Sequence, residues 1–222
     1  MRATTRIAGL LAVSALAVLP AAAQLSKFKP GFNLFSKQQD VQLGKEAAAE
    51  IEKQVEIVDS KELNAYINSI GQKLAAQPQA DKYPYTFQVV NDPSINAFAL
   101  PGGPTFINTG LIAAADNEAQ IAGVMAHEIM HVALRHGTNQ ATRANLIQLP
   151  AMLGSAAVGS GSMLGQLAQL GIGLGANSVL LKYSRTAETQ ADLMGAQMAA
   201  QAGYNPIEIA RFFEKLEAEG GA

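Results

Sequence analysis

His127-Glu128-Ile129-Met130-His131 lies inside residues 117–137, a long run of good helix formers. Residues four apart on an α-helix stand one above the other on the same face. Both imidazoles therefore reach one metal ion, and Glu128 falls beside it. Two histidines at i and i+4, with a glutamate after the first, form a zinc hydrolase signature. At ordinary residue frequencies the pattern arises by accident in roughly one chain of this length in a few hundred. The zinc reading is therefore far ahead of a buried helix that merely carries two histidines. It still lacks a third protein ligand.

The neighbours of the motif are apolar nearly all round: Ile121, Val124, Met125, Ile129, Val132 and Leu134. Such a helix is a buried one. Asp116 or Asn117 is placed to cap its start, Glu118 suits the positive end of its dipole, and Gly137 is placed to cap its end. The sequence has no cysteine and three histidines, His127, His131 and His136. Disulfides, thiolate ligands, a cysteine nucleophile and a lipoprotein anchor are excluded, so the third ligand is a carboxylate or His136. His136 lies five residues past His131, which on one continuous helix turns it about 140° away from the metal face. The metzincin pattern would also need Gly at position 134 and His at 137, where this chain has Leu134 and Gly137. His136 is expected to be a helix-end residue.

The second informative stretch is Ser184-Arg185-Thr186-Ala187-Glu188-Thr189-Gln190-Ala191-Asp192. Two histidines plus one glutamate are a known catalytic zinc set with one position left for water. Glu188 and Asp192 are four apart, so both can face the motif helix, with Asp192 accepting the second ring N–H of a ligand histidine. The same two carboxylates could equally form surface pairs with Arg185 or Lys182. The residue pattern alone leaves both readings open.

The remaining chain of 222 residues is read as a frame for these stretches. Residues 1–23 have the pattern of a signal peptide: Arg2 and Arg6, an apolar run over 7–19, and Ala21-Ala22-Ala23 as a cleavage site. Residues 24–36 read as a surface tether. A helix is expected from 37 to about 58, with Val41, Leu43, Ala47, Ile51, Val55 and Val58 inward. A second follows Asp59 or Ser60, with Leu63, Tyr66, Ile67, Ile70 and Leu74 inward. Strands are expected over 85–90, 96–100 and 105–108. Pro101-Gly102-Gly103-Pro104 closes the second of these, which argues for an edge position. An edge strand at Asn96, Ala97, Phe98, Ala99 and Leu100 could pair with an extended peptide, or belong to a small structural sheet with no ligand. Residues 144–181 carry no charge and many glycines. Interrupting Gly, Ser and Gln count against a membrane span. The expectation is an apolar hairpin of two helices that gates the cleft or lies on a membrane or an unfolded client. A last amphipathic helix spans 207–219, with Ile209, Phe212, Phe213 and Leu216 inward.

The paired motifs at 127–131 and 184–192 resemble those of the minigluzincin metallopeptidases. That group includes the CaaX prenyl proteases and periplasmic proteases that police outer-membrane β-barrel assembly. Residues 96–103 and Arg135-His136-Gly137 look like the family's segments before and after the metal helix, and the likeness runs from about Lys37 to the C-terminus. The resemblance implies one Zn2+ per chain held by His127, His131 and Glu188. It also implies Glu128 as general base, Asp192 behind a histidine ligand, and substrate pairing along 96–100. One departure stands out. Soluble periplasmic members typically continue with a segment containing a His-Pro pair, whose His can plug the open zinc position, and no such pair occurs here. Either the sequence is truncated or its regulation differs.

The resulting expectation is an α+β domain over 37–222, mostly helical, with a small sheet beside the motif helix. It would be an exported, periplasmic zinc metalloendopeptidase acting on unfolded or misassembled envelope proteins, with peripheral membrane contact. Tyr183 and Arg185 are candidate donors to an oxyanion. The competing readings are a holdase on a metallopeptidase scaffold and, less well supported, a membrane-embedded prenyl protease. A net charge of −2 with no basic cluster gives no case for nucleic acid.

Overall fold

The computed structural model describes residues 27–143, 172–175, 178–181 and 183–218. The expected signal peptide, the first residues of the tether and most of 144–181 lie outside the described residues.

Helix α1 (Lys37–Ile51) starts at a capping box. Ser36 accepts from the Gln39 N–H, and the Gln39 side chain accepts from the Ser36 N–H. It stops at Ile51, short of the expected end near 58. Residues 55–58 include Val55, Ile57 and Val58, whose branched side chains suit extended chain better than helix. Ile57 forms a bridge to Val90, and the Val58 N–H bonds the Val89 carbonyl. Helix α2 (Lys61–Ala75) is capped by Ser60, which accepts from the Leu63 N–H. Ile67, Ile70 and Leu74 are buried as expected, whereas Tyr66 is exposed and donates to Glu118.

Strands β1 (Thr86–Val90), β2 (Ala97–Ala99) and β3 (Pro104–Asn108) form one sheet in the order β1-β3-β2. β1 and β3 are parallel, and β2 runs antiparallel to β3, with Phe98 opposite Phe106. β2 is therefore an edge strand of its sheet, as the Pro-Gly-Gly-Pro turn implied. In that turn Gly102 has φ +79°, and a Cβ there would come 2.4 Å from the Cα of Val41. Only glycine lets the turn lie this close to α1.

A short helix α3 (Thr109–Ala114) leads into α4 (Glu118–Ala133), capped by Asn117 accepting from the Gln120 N–H. α4 is the centre of the core and packs against α2, β2 and two later helices. It ends at Ala133, earlier than a Gly137 cap would place it. The left-handed residue is Arg135, φ +57°, and a further helical stretch, α5, begins at 136 and is described to 143. Arg135 Nε donates to the buried Asp40 carboxylate at 2.6 Å, and its guanidinium also donates to the Phe35 carbonyl. The described tether is strapped onto α5. Asn33 donates to Thr138, the Leu34 N–H to Thr142, and Asn139 to the Phe32 carbonyl.

Strands β4 (Ile172–Gly175) and β5 (Ser178–Leu181) form an antiparallel hairpin, which corrects the expected helical one over this part of the segment. Glycine costs a helix about 1 kcal/mol per residue relative to alanine. Ile-Gly-Leu-Gly alternates with period two, so the local pattern favours a strand. β5 lies near β2 without pairing with it. Helix α6 (Arg185–Gln201) packs along α4, and α7 (Ile207–Ala218) covers the other side. On α7 Ile209 and Phe212 are buried, while Phe213 turns outward. Among the described residues no helix is long and apolar enough to cross a membrane. The architecture is α+β and mostly helical, with the small sheet lying beside α4.

Candidate metal centre

α4 presents its two motif histidines to α6. His127 and His131 are buried, and their Nε2 atoms lie 2.9 Å apart. α6 begins at Ser184, which caps it by accepting from the Ala187 N–H, so Glu188 falls in its first turn. Ala191, Met194, Gly195, Met198 and Ala199 bury the face that meets α4. At Gly195 a Cβ would sit 3.0 Å from the His127 backbone nitrogen, so the two helices touch backbone to backbone. That close approach places Glu188 Oε2 3.3 Å from His127 Nε2 and 3.7 Å from His131 Nε2. One turn further on, Asp192 Oδ1 lies 2.9 Å from His127 Nδ1.

The donor set can be tested against a cation. A tetrahedral zinc with bonds of about 2.0–2.1 Å spaces its ligand atoms about 3.3–3.5 Å apart. The three separations here, 2.9, 3.3 and 3.7 Å, bracket that spacing. Two imidazoles and one carboxylate are also a zinc donor set of the catalytic type. Among the described residues His127, His131 and Glu188 form the one group of at least three His, Cys, Asp or Glu with donor atoms close enough to hold a metal ion. The residues present therefore fit zinc.

The electrostatics agree. Burial disfavours a charged His127, but the Asp192 and Glu188 carboxylates outweigh it and push its pKa up to about 10. Hydrogen bonds from His127 and His131 hold Glu188 well below the usual carboxylate range. The pocket thus favours positive charge between these groups. Glu128 lies next to them, its Oε2 accepting the Ala99 N–H at 3.2 Å, and burial pushes its pKa up. A cation on the three donors would work against that rise.

β2 supplies the wall beside Glu128. The Leu100 N–H bonds the Pro104 carbonyl, and the Asn108 N–H bonds the Asn96 carbonyl. Alternation in an antiparallel pair then turns the main-chain groups of Ala97 and Ala99 away from β3. Ala99 uses its N–H on Glu128, a contact the sequence gave no sign of.

The structure brings His127, His131, Glu188, Glu128 and Asp192 together. Of the oxyanion candidates, Tyr183 stacks on the His131 ring at 4.0 Å, with 18° between planes, and Arg185 stays exposed at the start of α6. His136 is the departure. The break after α4 cancels the 140° argument and carries His136 Nδ1 to 3.0 Å from His131 Nδ1. It stands on the far side of that ring from the donor triangle, with its Nε2 3.1 Å from Gln190 Oε1. Its burial pushes its pKa down to about 4, which leaves it neutral near pH 7.

A family model described as Peptidase family M48 matches residues 45–219, which include both histidines and Glu188. The chain belongs to peptidase family M48. Among the relatives it matches is a beta-barrel assembly-enhancing protease of Escherichia coli (strain K12), 31% identical over 182 residues, or 80% of this chain and 37% of the relative. Another is the mitochondrial metalloendopeptidase OMA1 of Schizosaccharomyces pombe, 28% identical over 156 residues, or 70% of this chain and 44% of the relative. A third, a putative beta-barrel assembly-enhancing protease of Vibrio cholerae, is 32% identical over 167 residues, or 73% and 34%. The matched part of the chain thus spans less than half the length of each of these relatives.

Proposed function

We propose that this M48 chain is an exported zinc metalloendopeptidase that cleaves unfolded or misassembled envelope proteins. The observation that carries the chemistry is the convergence of His127 Nε2, His131 Nε2 and Glu188 Oε2 beside Glu128 and beneath the edge of β2. Export rests on the signal-like pattern of residues 1–23. The envelope substrate class rests on relatives named for β-barrel assembly.

His127, His131 and Glu188 hold the zinc, and Asp192 orients His127 through its Nδ1–H. Zinc, when bound, lowers the pKa of a water to about 7 and polarises a carbonyl. Glu128 takes the proton of the attacking water and returns it to the departing amine. The main chain of Ala97 and the Ala99 carbonyl line the outer edge of β2, where an extended peptide would pair with little demand on its side chains.

The test is a casein digest with and without chelator, run beside Glu128→Gln. The wild type should digest casein only without chelator. The variant should keep its zinc and lose at least about 100-fold in rate, the scale of a missing general base. Unchanged turnover would remove Glu128 from that role. Suppression of client aggregation with no cleavage at any zinc level would favour a holdase.

A further inference from the structure

We propose that Gln190 and His136 form a hydrogen-bonded chain that sets the tautomer of His131 and so aims its Nε2 lone pair at the metal position. The inference rests on the zinc reading above and adds two positioning residues to it.

The direction of the chain follows from what each atom can do. The Gln190 Oε1 is an amide oxygen and only accepts, so His136 donates to it through Nε2–H at 3.1 Å. A neutral imidazole that donates from Nε2 accepts at Nδ1. His131 Nδ1, 3.0 Å away, is then the donor, and His131 Nε2 is left with its lone pair. That nitrogen is the one 2.9 Å from His127 Nε2 and 3.7 Å from Glu188 Oε2. On the opposite side the Asp192 carboxylate does the same for His127, accepting from Nδ1–H at 2.9 Å. Both histidines thus turn Nδ1–H outward to an acceptor and Nε2 inward, though one acceptor is a carboxylate and the other a second histidine.

The backbone is built to deliver His136. Had α4 continued, His136 would point about 140° away from the face of His131. Arg135 takes φ +57° instead, a conformation non-glycine residues seldom adopt, and its Nε is fixed on Asp40 Oδ2 at 2.6 Å. The helix restarts at 136 with the imidazole against His131. Gln190 lies between Glu188 and Asp192 on α6, so one helix reaches the donor triangle, the Nδ1 of His127 and, through His136 Nε2, the group behind His131.

The experiment measures zinc affinity by competition with a chromophoric chelator, together with ring-nitrogen NMR of the metal-free wild type. His136→Leu removes the acceptor and should weaken zinc binding about 10–100-fold, the usual cost of losing a partner behind a ligand. His136→Asn keeps an acceptor oxygen near the Nδ1 position and Gln190→Glu keeps the acceptor for His136, so both should stay within about fivefold of wild type. The NMR spectrum should show His131 protonated on Nδ1 and bare on Nε2. A His131 proton on Nε2 would overturn the proposal, even if His136→Leu fails to fold. So would unchanged affinity in His136→Leu, or a loss in a well-folded His136→Asn as large as in the leucine variant. A wild type that takes up no zinc would sink the zinc reading as well. Tight wild-type binding with unaffected variants would sink this inference alone.

Discussion

α4 and α6 each give donor atoms to the same centre, yet they are held in different ways. Thirteen of the sixteen residues of α4 are buried, on every side of the helix. Five of the seventeen residues of α6 are buried, along one face. The histidines are therefore fixed by the core that folds the domain. Glu188, Gln190 and Asp192 sit in the first two turns of a helix that is docked rather than enclosed. The difference teaches that α4 carries both fold stability and metal donors, whereas the exposed start of α6 contributes to the metal centre with a smaller share of the fold. Changes on α6 should reach the metal without unfolding the chain.

The strongest break of that contrast comes at Glu188. Glu188→Ala should raise the zinc dissociation constant at least about 100-fold, since a ligand costs more than a partner behind a ligand. Its unfolding free energy in the metal-free state should fall by about 1–3 kcal/mol, the share lost with the Glu188–His127 contact, and the chain should stay folded. Metal analysis and urea titration read the two quantities. One-to-one zinc in the variant would place the third donor elsewhere.

A smaller effect sharpens the comparison at the helix contact. A Cβ at Gly195 meets the His127 nitrogen at 3.0 Å and its Cα at 3.1 Å, backbone atoms that cannot turn aside. Gly195→Val should push α6 off α4, cost about 1–3 kcal/mol, and weaken zinc binding by about tenfold. Gly123 is the control on the other side of α4, where a Cβ would meet Ile209 at 2.7 Å. Gly123→Val should cost similar stability and leave zinc affinity near wild type. Equal zinc losses in both variants would mean that any damage to α4 reaches the centre.

The same contrast explains what the sequence made legible. α4 announces itself because a helix apolar all round has one reading, and the edge position of β2 follows from Pro101-Gly102-Gly103-Pro104. Glu188 did not stand out by pattern, because carboxylates four apart on an amphipathic helix are equally a solvated face. The paired motifs of the family were needed to weigh it. Asp40 was missed for a related reason. An acid in the first turn of α1 looks dipole-favoured and solvated, yet it is buried and paired with Arg135 and Tyr83. The break at Leu134-Arg135 carries neither proline nor glycine. A long-range ion pair stabilises it, and local sequence does not encode such pairs. The misplacement of His136 followed directly from that.

The last comparison concerns pH, and it contrasts the two buried histidines flanking His131. His127 has carboxylates of α6 beside it, and its pKa rises from 6.5 to about 10. His136 has an amide there instead, and burial lowers its pKa from 6.5 to about 4. The signs are opposite. A raised folded pKa gives His127 a stabilising contribution that is complete below pH 6.5 and is lost as pH climbs toward 10. A lowered one gives His136 a contribution that is complete above 6.5 and is lost as pH falls toward 4. Each limb has a limiting slope of about 1.4 kcal/mol per pH unit. In a Glu128→Gln background, where the raised pKa of that buried carboxyl no longer tilts the profile, urea unfolding of the metal-free protein between pH 5 and 9 should therefore peak near 6.5. Asp192→Asn should flatten the alkaline limb alone and His136→Asn the acid limb alone. Saturating zinc should suppress the alkaline fall, because the cation takes the place of the proton on His127. An acid limb that survives His136→Asn would mean that another group carries it, and the two sides of His131 would no longer differ in the way the carboxylates of α6 require.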